Sequence, residues 1–204
     1  MKKVSTLICG LAAVLALAGC SSKGKEVSAE EFKEKAQAVE AHEYSGCTIK
    51  YDVDWKDSEK TAKESGEVEF TYDSEHGFAP QTETTAVEVV EESFYSSISE
   101  ALTSIEGQAD QYSSYGVDAS VKYYVEPFGL ELKLKGSFDT QVQVMGITAQ
   151  VKGSVDVEGY AEFNEYGYLV KLEEKVDIKS DRTYQGSTSS YEASGKVNFT
   201  VEYK

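Results

Sequence analysis

The chain contains few of the residues that build catalytic and metal sites. Its 204 residues include three cysteines, two histidines, two prolines and one tryptophan. No serine stands in a Gly-x-Ser-x-Gly context and no glycine-rich loop opens a helix, which argues against a nucleophile elbow and a nucleotide-binding loop. The acidic run from Asp52 to Glu59 has Asp57 where a calcium-binding EF-hand loop requires glycine. We therefore expect no enzyme activity, no cofactor and no metal.

The N-terminal segment has the features of an export signal. Lys2 and Lys3 precede an apolar run of only about a dozen residues, whereas a membrane-spanning helix needs roughly 20. The tetrapeptide Leu17-Ala18-Gly19-Cys20 then places small residues directly before a cysteine. It resembles the bacterial lipobox, which implies cleavage before Cys20 and attachment of diacylglyceryl and acyl chains such as palmitate. We predict a signal peptide over 1–19 and a lipid-anchored protein on the cell membrane or outer membrane, facing out of the cytoplasm.

The net charge of the mature chain narrows the class of partner. Cleavage before Cys20 removes Lys2 and Lys3, so the 20 basic residues fall to 18 against 36 acidic residues, a net charge of −18. Such a surface repels phosphate backbones, which argues against nucleic acid as a partner.

With Cys9 in the signal and Cys20 acylated, only Cys47 remains, so no internal disulfide can form. We expect Cys47 to be a small buried residue; a reactive thiol is the alternative.

Two helices are predicted after a flexible tether over residues 20–27. Ser28 and Glu31 have the spacing of a capping box, which predicts a helix that ends at about His42. A second helix is predicted between Ala86 and Glu106, where apolar residues recur every three or four positions. These residues form one continuous stripe: Val87, Val90, Phe94, Ile98, Leu102 and Ile105.

The rest of the chain alternates apolar and polar residues with a period of two, which predicts about seven or eight antiparallel strands. A tight turn at Met145-Gly146 would place Phe138 opposite Gly153, Gly136 opposite Val155 and Leu132 opposite Gly159. The long strands must then curve or break at Gly136 and Gly153. A second turn, Asn164-Glu165-Tyr166-Gly167, would pair Phe163 with Tyr168, Ala161 with Val170 and Gly159 with Leu172. A polar loop at 180–190 is expected before the last strand.

The predicted fold class is α+β. A single domain over 28–204 would hold a curved, half-barrel-like antiparallel sheet with one apolar face, and that face would be covered by two helices. Small residues lie beside leucine, valine and phenylalanine on the apolar face, among them Gly153, Gly159 and Ala161. They have two interpretations: close docking of the helices, or a cavity for an acyl chain.

This order of elements resembles the bacterial lipid-carrier lipoproteins, a group that includes the chaperone and receptor of the Lol system and mycobacterial lipid carriers. The resemblance covers most of 28–204 and includes a hairpin phrase from Phe163 to Leu169. It implies that the concave apolar face binds acyl chains. The residues that would contact such a ligand are Phe94, Ile98, Leu132, Phe138, Val155, Leu172 and Glu174.

Glu174 is the carboxylate most out of place, because it has the parity of the apolar face. A bulge or a rim position would explain it. The alternative is a polar anchor inside the cavity, in contact with a ligand headgroup. The fourteen tyrosines are compatible with a ligand-lined rim, and they are also good strand formers.

Two hypotheses follow for function. The first is a non-catalytic, membrane-anchored lipoprotein that binds or carries a hydrophobic small molecule or lipid in the concave face of its sheet. The alternative is a surface-exposed structural or antigenic interaction module with a packed core and no ligand.

Overall fold

The computed structural model of the protein describes residues 23–40, 42–73, 77–144 and 147–204. The predicted signal peptide, Cys20 and the turn at Met145-Gly146 lie outside these ranges. Within them the chain forms nine strands, β1 to β9, and three helices, α1 to α3. In chain order they are β1 (Lys25–Val27), α1 (Ala29–Gln37), β2 (Gly46–Asp57), β3 (Thr61–Asp73), β4 (Gly77–Pro80), α2 (Thr85–Glu92), α3 (Ile98–Ser114), β5 (Asp118–Val125), β6 (Phe128–Val144), β7 (Ile147–Phe163), β8 (Leu169–Tyr184) and β9 (Ser187–Tyr203).

All nine strands belong to one open antiparallel sheet in the order β1-β5-β6-β7-β8-β9-β2-β3-β4. The α+β class is therefore confirmed, with nine strands instead of seven or eight and three helices instead of two. The two additional strands, β1 and β4, are the edges of the sheet and have three and four residues. Segments this short are below the length at which alternation can be recognised. Because β1 pairs with β5, the prediction of a flexible tether through residue 27 was wrong for Lys25–Val27.

The helices begin at capping residues. The Ser28 side chain accepts a hydrogen bond from the Glu31 N–H, as predicted, but α1 ends at Gln37 instead of His42. The predicted second helix is two helices, because the chain leaves α2 at Ser93 and Ser97 caps α3. The Ser97 hydroxyl oxygen accepts a hydrogen bond from the Glu100 N–H. The apolar spacing runs across this break, so periodicity alone could not reveal it.

The β6–β7 hairpin has the predicted register. Phe138 lies opposite Gly153, Gly136 opposite Val155 and Leu132 opposite Gly159. Both strands are continuous through their glycines, so of the two predicted alternatives, strong curvature or a break, the break does not occur. Glycine is required at 153, since a Cβ atom there would meet the Lys179 carbonyl oxygen and the Phe138 ring.

The β7–β8 register differs from the prediction. Ala161 pairs with Leu172 and Gly159 with Glu174, two residues further along β8 than expected. One residue of this shift arises at the turn, where Phe163 pairs with Leu169 instead of Tyr168. The other arises between Glu162 and Phe163, where Val170 is left as an extra residue on β8. A single extra residue on one strand is the definition of a β-bulge.

The predicted polar loop at 180–190 was wrong. β8 and β9 extend through it and are joined at Gln185-Gly186, both of which have positive φ angles, +47° and +81°. Two such residues form the type I′ turn that favours tight hairpins. Exposed polar side chains on this part of the hairpin produced the appearance of a loop.

The hydrophobic core lies between one face of the sheet and the helices. The helix α1 contacts β5, α2 contacts β2, β3, β4 and β9, and α3 contacts β5 and β6. The buried strand residues include the predicted apolar faces of β2 and β6, namely Cys47, Ile49, Val53, Leu130, Leu132 and Leu134. None of the helices in the described ranges is long and apolar enough to cross a membrane.

Candidate functional site

The residues predicted to contact a ligand are placed in the core. Six of them are buried, and Phe94 is half-buried with its ring stacked at 5.8 Å on Phe70. The ring of Phe138 packs against Tyr112 and Tyr115 of the α3 end. Side chains of α3 and of the segments at its two ends therefore pack on the face of the sheet at which an acyl chain was expected. The buried six are Ile98, Leu132, Phe138, Val155, Leu172 and Glu174.

Glu174 lies in regular strand pairing, opposite Gly159 and Val197, and its side chain is fully buried. The interpretation as a bulge or a rim residue is therefore wrong; the bulge is at Val170. Neither carboxylate oxygen has a hydrogen-bond partner with acceptable geometry. Burial raises the pKa of Glu174 well above its ordinary value, and the nearby Ser93 hydroxyl opposes this only in part. Burial therefore favours the neutral, protonated form of this group. Its contact with a ligand headgroup stays a prediction.

A cavity of about 840 Å³ lies at the end of the sheet. Three chain segments that are distant in sequence form it: the end of α1 with the residues after it, the β5–β6 turn, and the β7–β8 turn. This volume is within the range of small-molecule pockets, ~300–1,000 Å³. The lining residues of these segments are Lys35, Ala38, Val39, Glu40, Val125, Glu126, Pro127, Phe128, Glu162, Phe163, Asn164, Glu165, Tyr166 and Val170.

Hydrogen bonds and a β-bulge hold these segments in position around the cavity. The Asn164 side-chain oxygen accepts hydrogen bonds from the N–H groups of Tyr166 and Tyr168, both at 3.0 Å, which closes the β7–β8 turn. The Gly167 carbonyl accepts a hydrogen bond of 2.7 Å from the Ile98 N–H and so joins the turn to α3. The bulge places Val170, which has no partner on β7, in the cavity wall. Bulges commonly redirect side chains at functional sites in this way.

The cavity has an apolar wall and an acidic rim. Val39, Val125, Phe128, Phe163 and Val170 supply the wall. Four glutamates and one lysine line it as well, and Lys35 is paired with Glu126 at 3.6 Å and Glu31 at 3.9 Å. The net negative potential of such a rim attracts a cationic group, while the wall receives an apolar body. The glutamates are Glu40, Glu126, Glu162 and Glu165.

A second cavity, of about 360 Å³, shares Val39, Glu40 and Tyr166 with the first. Aromatic rings dominate its wall, and the serines of the α2–α3 junction contribute hydroxyl groups. The His42 ring stacks on Tyr166 with a centroid distance of 4.5 Å, and the Tyr168 hydroxyl donates a hydrogen bond to the His42 carbonyl. Aromatic faces next to a carboxylate favour organic cations. The rings are those of His42, Tyr72, Phe78, Tyr166 and Tyr168.

Sequence reasoning missed most of this site. Of the seven predicted contact residues, only Ile98 lines either of the two cavities. The available signal was topological: in a meander of antiparallel strands, the β5–β6 and β7–β8 turns lie at the same end of the sheet. The bulge at Val170, which completes the wall, has no recognisable signature in the sequence.

A metal site and a reactive thiol are the other kinds of chemistry to consider in the described ranges. No group of three His, Cys, Asp or Glu side chains is placed there to hold a metal ion. Cys47 is fully buried, as predicted, and burial, with a smaller effect of the Glu69 charge, raises its pKa to about 12. A thiol with this pKa is not a nucleophile at neutral pH.

Comparisons of the chain with protein-family models, with curated proteins and with solved structures found no match. The resemblances to the lipobox and to the lipid-carrier lipoproteins therefore stay predictions. What the fold and the site define is an α+β domain with an open nine-stranded antiparallel sheet and an acidic-rimmed apolar cavity at the end of that sheet.

Proposed function

We propose that the protein is a non-catalytic, lipid-anchored lipoprotein facing out of the bacterial cytoplasm, and that its domain binds an amphiphile. The ligand would have an apolar body and a positively charged group. The observation that carries the binding proposal is the cavity of about 840 Å³, with its valine and phenylalanine wall and its four glutamates. The anchor rests on the sequence around Cys20. Each buried methylene of an acyl chain contributes about 0.8 kcal/mol, so two or three chains hold a protein on a bilayer.

The sheet is proposed to be curved, half-barrel-like, with the helices in its concavity. The distribution of helix contacts supports this: α2 packs on β2, β3 and β9, whereas α3 packs on β5 and β6, which lie in the other half of the sheet order. Twisted sheets with many strands commonly curl in this way. The concave side would then be filled by the helices, and the ligand would bind at the open end.

A fluorescence titration tests the binding proposal. The purified full chain is titrated with two dansyl probes that have the same alkyl chain, one ending in an ammonium group and the other in a carboxylate. We expect saturable binding of the cationic probe and weaker binding of the anionic one, because the rim is acidic. Saturable binding of neither probe would reject the proposal.

Variants locate the binding. Val170→Trp fills the cavity and is expected to abolish binding of the cationic probe. Val142→Trp is the matched control, since Val142 is half-buried on β6 and does not line either cavity. Equal binding by the two variants would place the ligand elsewhere.

The interaction-module hypothesis is supported by a different observation, the filled core around Leu132, Val155 and Leu172. It expects no ligand at all. Mass spectrometry of an organic extract of the native protein separates the two: a co-purifying amphiphile supports the proposed function, and no extracted lipid together with no probe binding supports the module.

A further inference from the structure

The chain is attached to the sheet from the first described residues onward. Lys25 lies opposite Val125 and Val27 opposite Tyr123, so β1 is a hydrogen-bonded edge strand. Gly24 lies so close to the β5–β6 turn that a Cβ atom would meet the carbonyl oxygens of Val125 and Pro127. Only glycine allows the backbone to approach the turn this closely.

Lys23 is bound on the face of the sheet opposite to the helices. Its Nζ donates a hydrogen bond to Glu131 Oε2 at 2.6 Å, and the Tyr124 hydroxyl donates to the same oxygen at 2.8 Å. The ammonium group also lies 5.7 Å from the ring centroid of Tyr124 and 5.3 Å from that of Tyr160. Cation–π contacts at these distances add to the ion pair.

Glu131 is only 5% exposed, whereas Lys133 on the same face of β6 is half-buried and Lys135 is exposed. A buried carboxylate needs a partner, and Lys23 is the closer of its two lysine partners; Lys133 is at 3.5 Å. Removal of one member of such a pair leaves an uncompensated charge. The contacts with Glu131 therefore hold Lys23 on the sheet.

The distance along the chain from Lys23 to the predicted lipid is short. Cys20 precedes Lys23 by three residues. Three residues span at most about 11 Å. The β5–β6 turn, which Gly24 contacts, lines the cavity at the end of the sheet.

We propose that the contacts of Lys23 with Glu131, Tyr124 and Tyr160 hold the β5–β6 end of the sheet at the bilayer surface. The bilayer is the partner of this end of the domain, and the cavity lies beside the lipid headgroups. The inference rests on the lipid anchoring of the proposed function. It replaces a freely rotating domain on a tether by a domain with one defined orientation.

Quenching of site-specific fluorophores tests the orientation. Single cysteines are introduced in the full chain at Glu165, in the β7–β8 turn, and at Ser189, in the β8–β9 hairpin at the opposite end of the sheet. Both positions are exposed, and the buried Cys47 does not compete for the label. The lipidated proteins are reconstituted in phosphatidylcholine vesicles that carry a headgroup quencher. We expect quenching at 165 and little or none at 189.

Two lysine variants connect the orientation to the contacts. Lys23→Ala is expected to abolish the difference between the two positions. Lys25→Ala is the matched control. It removes the same charge two residues after Lys23, and the side chain of Lys25 is 70% exposed. The control is expected to keep the difference.

The outcomes separate this inference from the proposed function. Co-sedimentation of the native protein with vesicles and equal quenching at 165 and 189 overturns the inference and leaves the anchor intact. An unchanged difference in Lys23→Ala overturns the role of Lys23. Absence of an acyl mass on the N-terminal peptide, with no co-sedimentation, overturns both the anchor and the orientation.

Discussion

Glu174 lies directly opposite Gly159 in the sheet, and this pairing leaves the carboxyl group without a side chain across from it on β7. The carboxyl group is fully buried and has no hydrogen-bond partner of acceptable geometry. An ionised carboxylate in such surroundings is strongly unfavourable, so burial favours the protonated form of the group.

Stability is therefore expected to depend on pH through Glu174. In the unfolded chain the group ionises near its ordinary value of 4.5, whereas burial raises its pKa well above that value in the folded protein. Its contribution to stability is fully present below the unfolded pKa and is lost as pH rises. Each pH unit in this window favours unfolding by about 1.4 kcal/mol until the folded pKa is reached. Because glutamine does not ionise, Glu174→Gln is expected to remove this fall in the free energy of unfolding.

Urea unfolding at about pH 5 and about pH 8 measures the effect. The free energy of unfolding of Glu174→Gln, relative to the native chain, should increase between the two pH values. Asp177→Asn is the control, because Asp177 is an exposed acid on the same strand. A relative stability of Glu174→Gln that does not change with pH would contradict the assignment.

Leu132 tests whether the helix-facing side of the sheet is a packed core. It is 4% exposed and lies opposite Gly159. Leu132→Ala is expected to lower the free energy of unfolding by about 2–5 kcal/mol in the absence of any ligand. Leu102→Ala, at a half-buried position of α3, should lower it less. Equal, small losses would show that Leu132 lines an open space instead.

The strand pairings show what alternation can and cannot predict. The β6–β7 register was predicted correctly, because the apolar residues change from even to odd positions at the short Met145-Gly146 connection and no extra residue interrupts the pairing of the two strands. The β7–β8 register was wrong by two residues, a shift that keeps Leu172 and Glu174 on the same face. Parity has a period of two, so it cannot distinguish these registers. The correct register depends on the pairing of Phe163 with Leu169 at the turn and on the bulge at Val170.

The helix break has a similar cause. Val90, Phe94 and Ile98 keep helical spacing across residues 93–97, where the backbone is not helical. The capping residue Ser97 and Glu100 three positions later were the available signals. Short-range chemistry, and not periodicity, decides where α2 ends and α3 begins.

Ser97→Ala is therefore expected to destabilise the protein. It removes the acceptor for the Glu100 N–H, a loss of about 1 kcal/mol for a helix N-cap. Ser99→Ala is the matched control, since Ser99 is an exposed serine in the first turn of the same helix. Thermal unfolding of both variants compares them; equal melting temperatures would contradict the capping role.

The thiol of Cys47 is expected to be protected in the folded protein. It is fully buried on β2, and its pKa is raised to about 12, chiefly by burial. Treatment with a maleimide at neutral pH followed by peptide mapping should leave the Cys47 peptide unlabelled, and labelling should require denaturant. Rapid labelling of the native protein would show that β2 opens.

The cavity could not be predicted from local patterns, because its wall combines Val39, Val125 and Val170 from three separate segments. Each of these residues is unremarkable in its own segment. Their proximity depends on the order of strands in the sheet and on where α1 ends.

The N-terminal residue of the membrane-bound protein is the most direct test of the account, since both the anchor and the orientation of the domain depend on it. Protein extracted from bacterial membranes after labelling with palmitate is analysed by mass spectrometry of its N-terminal peptide. We predict a chain that begins at Cys20 and carries acyl chains, and a Cys20→Ser variant without label. A native chain with an unmodified Cys20 would contradict the account.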